Sequence, residues 1–245
     1  MRRATRAGAI AALVLASLAL TAGLVMTGAQ DARATFDRAV ARTSALRYVH
    51  FEMRGSVRAD SPNPEQAPAG GILRQELTAS GDIAFPDRLH LSAQIAPDEE
   101  PRELVVIGDQ AWSQIGGIWR RVVAGGPQTD PRALIEVLRG SGTVTFAGYD
   151  LVGVVPTYHL RVALDATALA ERLSRVGQIG PRLEGSGRLD LYVGVFDQRV
   201  HRQEADIVEQ TPDDVGGGLY RVRTSYAVDY SAFDRPVEIR EPSGP

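Results

Sequence analysis

Apolar positions change their period once near the start of the chain. Over residues 31–45, Ala32, Phe36, Ala39, Val40 and Thr43 recur every three or four positions, with Asp37, Arg38 and Arg42 between them, and this spacing predicts a helix. After Leu46 the period becomes two. Val49, Phe51 and Met53 alternate with His50, Glu52 and Arg54, as on a half-buried strand. The proline- and glycine-rich stretch from Asp60 to Gly71 reads as a loop. Alternation then resumes: Leu73, Leu77, Ala79, Ile83 and Phe85 form one strand, and Leu89, Leu91, Ala93 and Ile95 the next, across a turn at Pro86-Asp87. Glu103–Ile107 is a more continuous apolar strand. Gly108-Asp109-Gln110 turns it into Ala111-Trp112-Ser113, and Gly116-Gly117 turns that into Ile118–Val122.

Two further helices are expected. Asp130 can cap one, with Pro131 at its first position and Leu134, Ile135 and Leu138 on one face. Asp165 can cap the other, with Leu169, Leu173 and Val176 as its stripe. Strands are expected at Thr143–Gly148, Thr157–Leu164, Gly187–Phe196, Arg199–Val208 and Leu219–Tyr230, with a loop over 211–218. About ten strands joined by short connections must pair antiparallel. The fold expected is α+β: one large curved antiparallel sheet, a half-open β-barrel, with helices over its concave face. An apolar cavity under such helices suits a small hydrophobic ligand.

The first 30 residues change the picture of where the domain works. Arg2, Arg3 and Arg6 precede an uncharged, largely apolar run from Ala7 to Met26, and no acidic residue occurs before Asp31. That is the order of an export segment. Thr27-Gly28-Ala29 offers a cleavage site, while the run is also long enough to span a bilayer as an anchor. Residues 31–245 are expected to form a single domain, placed outside the cytoplasm, in the envelope or periplasm or at the cell surface. The formal net charge is −3, and without those three arginines the remainder stands at −6, which argues against nucleic-acid binding. There is no cysteine, hence no disulfide, thiolate metal site or lipoprotein acceptor.

Several stretches resemble one family. Tyr48–Gly55, Phe85–Leu89, Leu104–Trp112 with Gly117–Trp119, and Val228–Ile239 are similar to hairpin and strand patterns of the LolA-like lipoprotein carriers and their LppX/LprG-type relatives. The resemblance covers about residues 31–241. It implies a half-open antiparallel barrel enclosing a lipid or acyl-chain cavity, and no catalytic residues. The LppX/LprG-type members are lipoproteins, and this chain departs from them in lacking the acceptor cysteine.

No catalytic motif emerges from the residues. His50, His90, His159 and His201 each sit on an expected strand in phase with polar neighbours, and neither a His-Glu-x-x-His nor a Gly-x-Ser-x-Gly motif occurs. No enzymatic activity, cofactor or metal is expected. The candidate ligand-binding residues are the inward apolar positions Phe51, Met53, Leu89, Leu91, Val106, Leu160, Leu191 and Val193, together with Trp112 and Trp119 as a cavity wall or rim. The expected partners are a lipid or lipid-modified protein and a membrane surface, met by a monomer. The alternative is an envelope interaction module or stress sensor of the same fold with no bound lipid, using an exposed strand edge.

Overall fold

Asp31 starts the fold. Its carboxylate accepts from the Ala34 amide at 2.8 Å and caps helix α1, Ala32–Ser44. An Arg33–Asp37 pair one turn apart lies on the exposed side, and Phe36, Ala39 and Val40 form the buried side. Eleven strands follow: β1 Tyr48–Asp60, β2 Ile72–Ala84, β3 Arg88–Ala96, β4 Arg102–Ile107, β5 Gln110–Ile115, β6 Ile118–Val123, β7 Gly142–Val152, β8 Val155–Asp165, β9 Glu184–Gly194, β10 Val200–Pro212 and β11 Leu219–Ser231. The computed structural model describes residues 31–60, 72–96, 100–123, 142–165, 184–212 and 219–242. The export segment and the helices expected after Asp130 and Asp165 lie outside the described residues, as does most of the 60–71 and 211–218 loops.

All eleven strands belong to one antiparallel, curved and unclosed sheet in the order β6-β5-β4-β3-β2-β1-β11-β10-β9-β8-β7. It consists of two meanders, β1–β6 and β7–β11, joined where β1 pairs with β11 from His50–Ser231 to Asp60–Arg221. Alternation gives each strand an inner face, on the side of α1, and an outer face. Val49, Phe51 and Met53 of β1 point inward with Ile83 and Ala79 of β2, Leu89 and Leu91 of β3, and Val228 and Tyr230 of β11. Glu52, Arg54 and Ser56 point outward.

Several expected boundaries shift. β7 does not stop at Gly148; a bulge between Phe146 and Gly148 lets the ladder continue to Val152. Gly148 takes φ +145, where glycine is at home, so the residue that reads as a strand end is a bend within it. β9 stops at Gly194 rather than Phe196, because the Gly194 amide bonds Arg199 O and Val195–Asp197 form the turn. β10 runs past Val208 to Pro212, because it stays paired with β11 as far as Leu219.

The core has two parts on opposite faces. On the inner face Phe36, Ala39 and Val40 of α1 pack with Tyr158, Leu160, Val162, Leu189, Leu191, Val193 and Val200. On the outer face the chain after β11 returns across β2, β4 and β5. Ile239 is buried there with Ala84, Val105 and Trp112, and Val237 and Trp119 pack alongside. Arg88 fastens this segment by donating to Ile239 O at 2.9 Å. Its start is held by Asp234, whose carboxylate accepts from the Arg47 amide and pairs with Arg199.

Candidate functional site

The inner-face residues nearest α1 build the candidate site. Thirteen side chains surround a cavity of about 40 Å³ between the helix and β1, β2, β9, β10 and β11. From α1 and the turn after it come Phe36, Ala39, Val40, Thr43 and Leu46; from the sheet come Val49, Ile83, Leu191, Val200, Gln203 and Tyr230; Phe85 and Phe233 close the end. The apolar stripe of α1 thus forms one wall and the alternating positions of the strands the other.

Three polar groups interrupt this lining. The Gln203 amide donates to the Tyr226 hydroxyl at 2.9 Å, which satisfies a buried polar pair beside the cavity. The Thr43 hydroxyl is buried without a hydrogen-bond partner. The Tyr230 phenol is held well above its usual range by burial first and by Tyr226 second, so it stays neutral. A neutral, almost wholly apolar enclosure can retain hydrocarbon, but it offers nothing to hold a charged group.

The candidate residues divide by face and by packing. Leu191 alone among them lines the cavity. Leu160 and Val193 are wholly buried beside it, in core filled by α1. Phe51, Met53, Leu89, Leu91 and Val106 share the inner face on the other meander: Phe51 lies beside Tyr230, and Leu89 pairs with Ile83 of the cavity wall and with Val106. Val106 is buried and the other four are half-buried. Trp112 and Trp119 stand on the outer face, under the returning C-terminal segment, so the structure does not bring them to the cavity. Of the twelve cavity residues absent from the candidates, four belong to α1 and the rest to the strands and the turns beside them. The helical spacing of those four was visible, but spacing does not say which strands a helix covers.

The outer face carries the titratable groups. Each histidine contacts a carboxylate: His50 meets Asp82, His90 meets Glu103, His159 meets Asp190 and His201 meets Asp197. Asp190 is only 4% exposed, yet its carboxyl lies below the usual range. Burial alone would raise it; hydrogen bonds from His159 and Arg161 and the charges of Arg161 and Arg188 outweigh burial. Tyr192 stacks on His159 with 4.6 Å between ring centroids and bonds Glu204. Burial, then Glu204 and Asp190, push its phenol up to about 12. Arg199 and Arg202 are engaged by Asp234 and Asp229. Among the described residues, no group of three or more histidines or carboxylates is placed to hold a metal ion.

No known protein-family model matches the sequence. No curated protein matches it either. Solved structures do. LprF from Mycobacterium bovis superposes with a TM-score of 0.54 at 16% identity, over 87% of this chain and 97% of that one. The Mycobacterium tuberculosis lipoprotein LppX aligns at TM-score 0.49 and 16% identity, over 85% and 97% of the two chains. The LolA superfamily protein NE2245 from Nitrosomonas europaea aligns at 0.28 and 9%, over 86% and 94%. The LprF superposition shows that this chain shares that protein's fold, in line with the LppX/LprG-type resemblance of the strand patterns. At such identity the likeness is one of fold alone.

Proposed function

We propose that this protein is an exported, non-catalytic component of the cell envelope that holds a lipid or acyl chain against the inner face of its sheet. Residues 1–30 would direct export, by a cleaved signal or as an anchor, and residues 31–245 would form one binding domain that works as a monomer. The observation that carries the reading is the continuity of the inner face. The apolar lining of the cavity passes from Val49 and Ile83 to Phe51, Leu89, Leu91 and Val106 without a charged inward residue between them.

The size of the cavity constrains how this would work. About 40 Å³ accommodates a few waters, well short of the ~300 Å³ or more of a typical ligand pocket. Cargo would therefore enter as α1 shifts away from Val49, Ile83 and Tyr230, and would lie along the inner face toward Phe51 and Leu91. Affinity would come from apolar area removed from water, about 25 cal/mol per Å² before ordering costs.

Native mass spectrometry of the protein purified from its own envelope tests the reading. An acyl lipid retained at near one-to-one ratio is the expected result. Val49→Glu, which puts a charge into the cavity wall, should abolish retention, and Arg223→Ala on the outer face should not. A clean unliganded mass that incubation with envelope lipids leaves unchanged would sink the carrier reading in favour of an interaction module.

A further inference from the structure

We infer that the adjoining tips of the β7–β8 hairpin and the β9–β10 turn form a docking surface for a zwitterionic lipid bilayer. Four of the six large exposed hydrophobic side chains among the described residues gather there: Val154 at 94% exposure, Phe196 at 79%, Leu151 at 63% and Tyr149 at 41%. The two tips are neighbours. Leu151 pairs with Pro156, whose carbonyl accepts from the Val195 amide at 3.0 Å, and Thr157 pairs with Gly194. Phe196 follows directly on Val195.

The turns themselves do not require these side chains. Gly153 takes the left-handed φ of +59 that closes the β7–β8 hairpin, and a polar residue would serve equally at position 154. In the β9–β10 turn the bonding is done by its neighbours. The Gln198 amide donates to Val195 O, and Asp197 accepts from the Arg199 amide and contacts His201. Phe196 takes no part and projects into solvent. Apolar side chains exposed at turn tips cost solubility unless an apolar phase receives them.

The surroundings say what that phase is. The patch continues inward: Tyr149 contacts Phe146 at 5.1 Å and Tyr158 at 5.7 Å, and Tyr158 belongs to the core under α1. The tyrosine, apolar at its ring and polar at its hydroxyl, suits the level of lipid headgroups. Helix α1 crosses the same end of the sheet, because Arg38 donates to Gln198 of the β9–β10 turn. It contacts β7 and ends beside β1, where Leu46 meets Val49. Its N-terminus is thus on the β7 side, and the apolar run that ends at Met26 leads into it. The tips and the start of α1 both lie toward the β7 edge of the sheet. Charges of both signs flank the tips, Asp150 and Asp197 beside Arg38 and Arg199, the last paired with Asp234, so neither sign dominates. A bilayer met this way is engaged through apolar insertion rather than through attraction of anionic lipids.

The absence of cysteine makes the test direct. Single Val154→Cys, Phe196→Cys and Ile118→Cys variants of the full chain would carry an environment-sensitive fluorophore. Ile118, exposed at the far edge strand, is the reference. With phosphatidylcholine vesicles containing spin-labelled lipid, quenching at 154 and 196 is expected to exceed that at 118 by about threefold or more, and to persist from about 0.1 to about 0.5 M salt. Adding Phe196→Asp to the Val154→Cys variant should bring the 154 signal down to the level of 118. Equal quenching at all three positions, or quenching that needs anionic lipid, overturns the proposal. The readout does not depend on cargo, so docking and lipid retention fail separately.

Discussion

Asp190 gathers two arginines and a histidine on the outer face. Its carboxylate is buried, with His159 at 2.8 Å, Arg161 at 2.9 Å and Arg188 at 2.8 Å, while both guanidinium groups remain in contact with solvent. Asp190→Asn keeps the shape and removes the charge these partners face. The expected loss is about 1–3 kcal/mol, discounted for the exposure of the arginines and read from the urea midpoint. The pH dependence has a definite sign. Asp190 and Asp206 both have carboxyls lowered in the folded state, the latter chiefly by its bond from Arg223. Their contribution is complete above the unfolded value, near pH 4, and disappears as pH falls through the folded one. Stability measured by denaturant titration should therefore drop below about pH 4, and less steeply in Asp190→Asn.

Helix α1 is the element on which the site depends. Phe36 is buried both against the core and along the cavity. Phe36→Ala should cost about 3–5 kcal/mol by thermal or denaturant unfolding and enlarge the cavity toward β10. Existence and type of this helix were legible, because a capping aspartate and a clean apolar stripe agree with each other. Most strands were legible too, since one face is buried and the other polar. What alternation could not resolve was the Leu104–Trp112 region. Leu104, Val105, Val106 and Ile107 are all apolar because both faces are covered there, the outer one by Ile239. With no polar face to set the phase, Trp112 could be read inward, although it pairs with Val105 and points outward with it. Gly148 was misread for a different reason: a glycine at a bulge and a glycine at a strand end look the same until the partner strand is known.

At the scale of the whole molecule the two meanders hold each other by exchanged parts. The N-terminal meander contributes α1 to the inner face of β7–β10, and the C-terminal meander contributes residues 236–241 to the outer face of β2, β4 and β5. The sequence showed both segments but not the exchange, which depends on contacts far apart in the chain. Ile239→Ala should cost about 2–4 kcal/mol and shift tryptophan emission to the red as Trp112 meets water, a change that fluorescence during urea titration would report. The β1–β11 ladder is the one sheet seam between the meanders. A chain severed between Val123 and Gly142 would lose no strand pairing among the described residues. The two fragments, each carrying a segment the other needs, should complement in trans on co-expression, with Ile239→Ala weakening their reassembly.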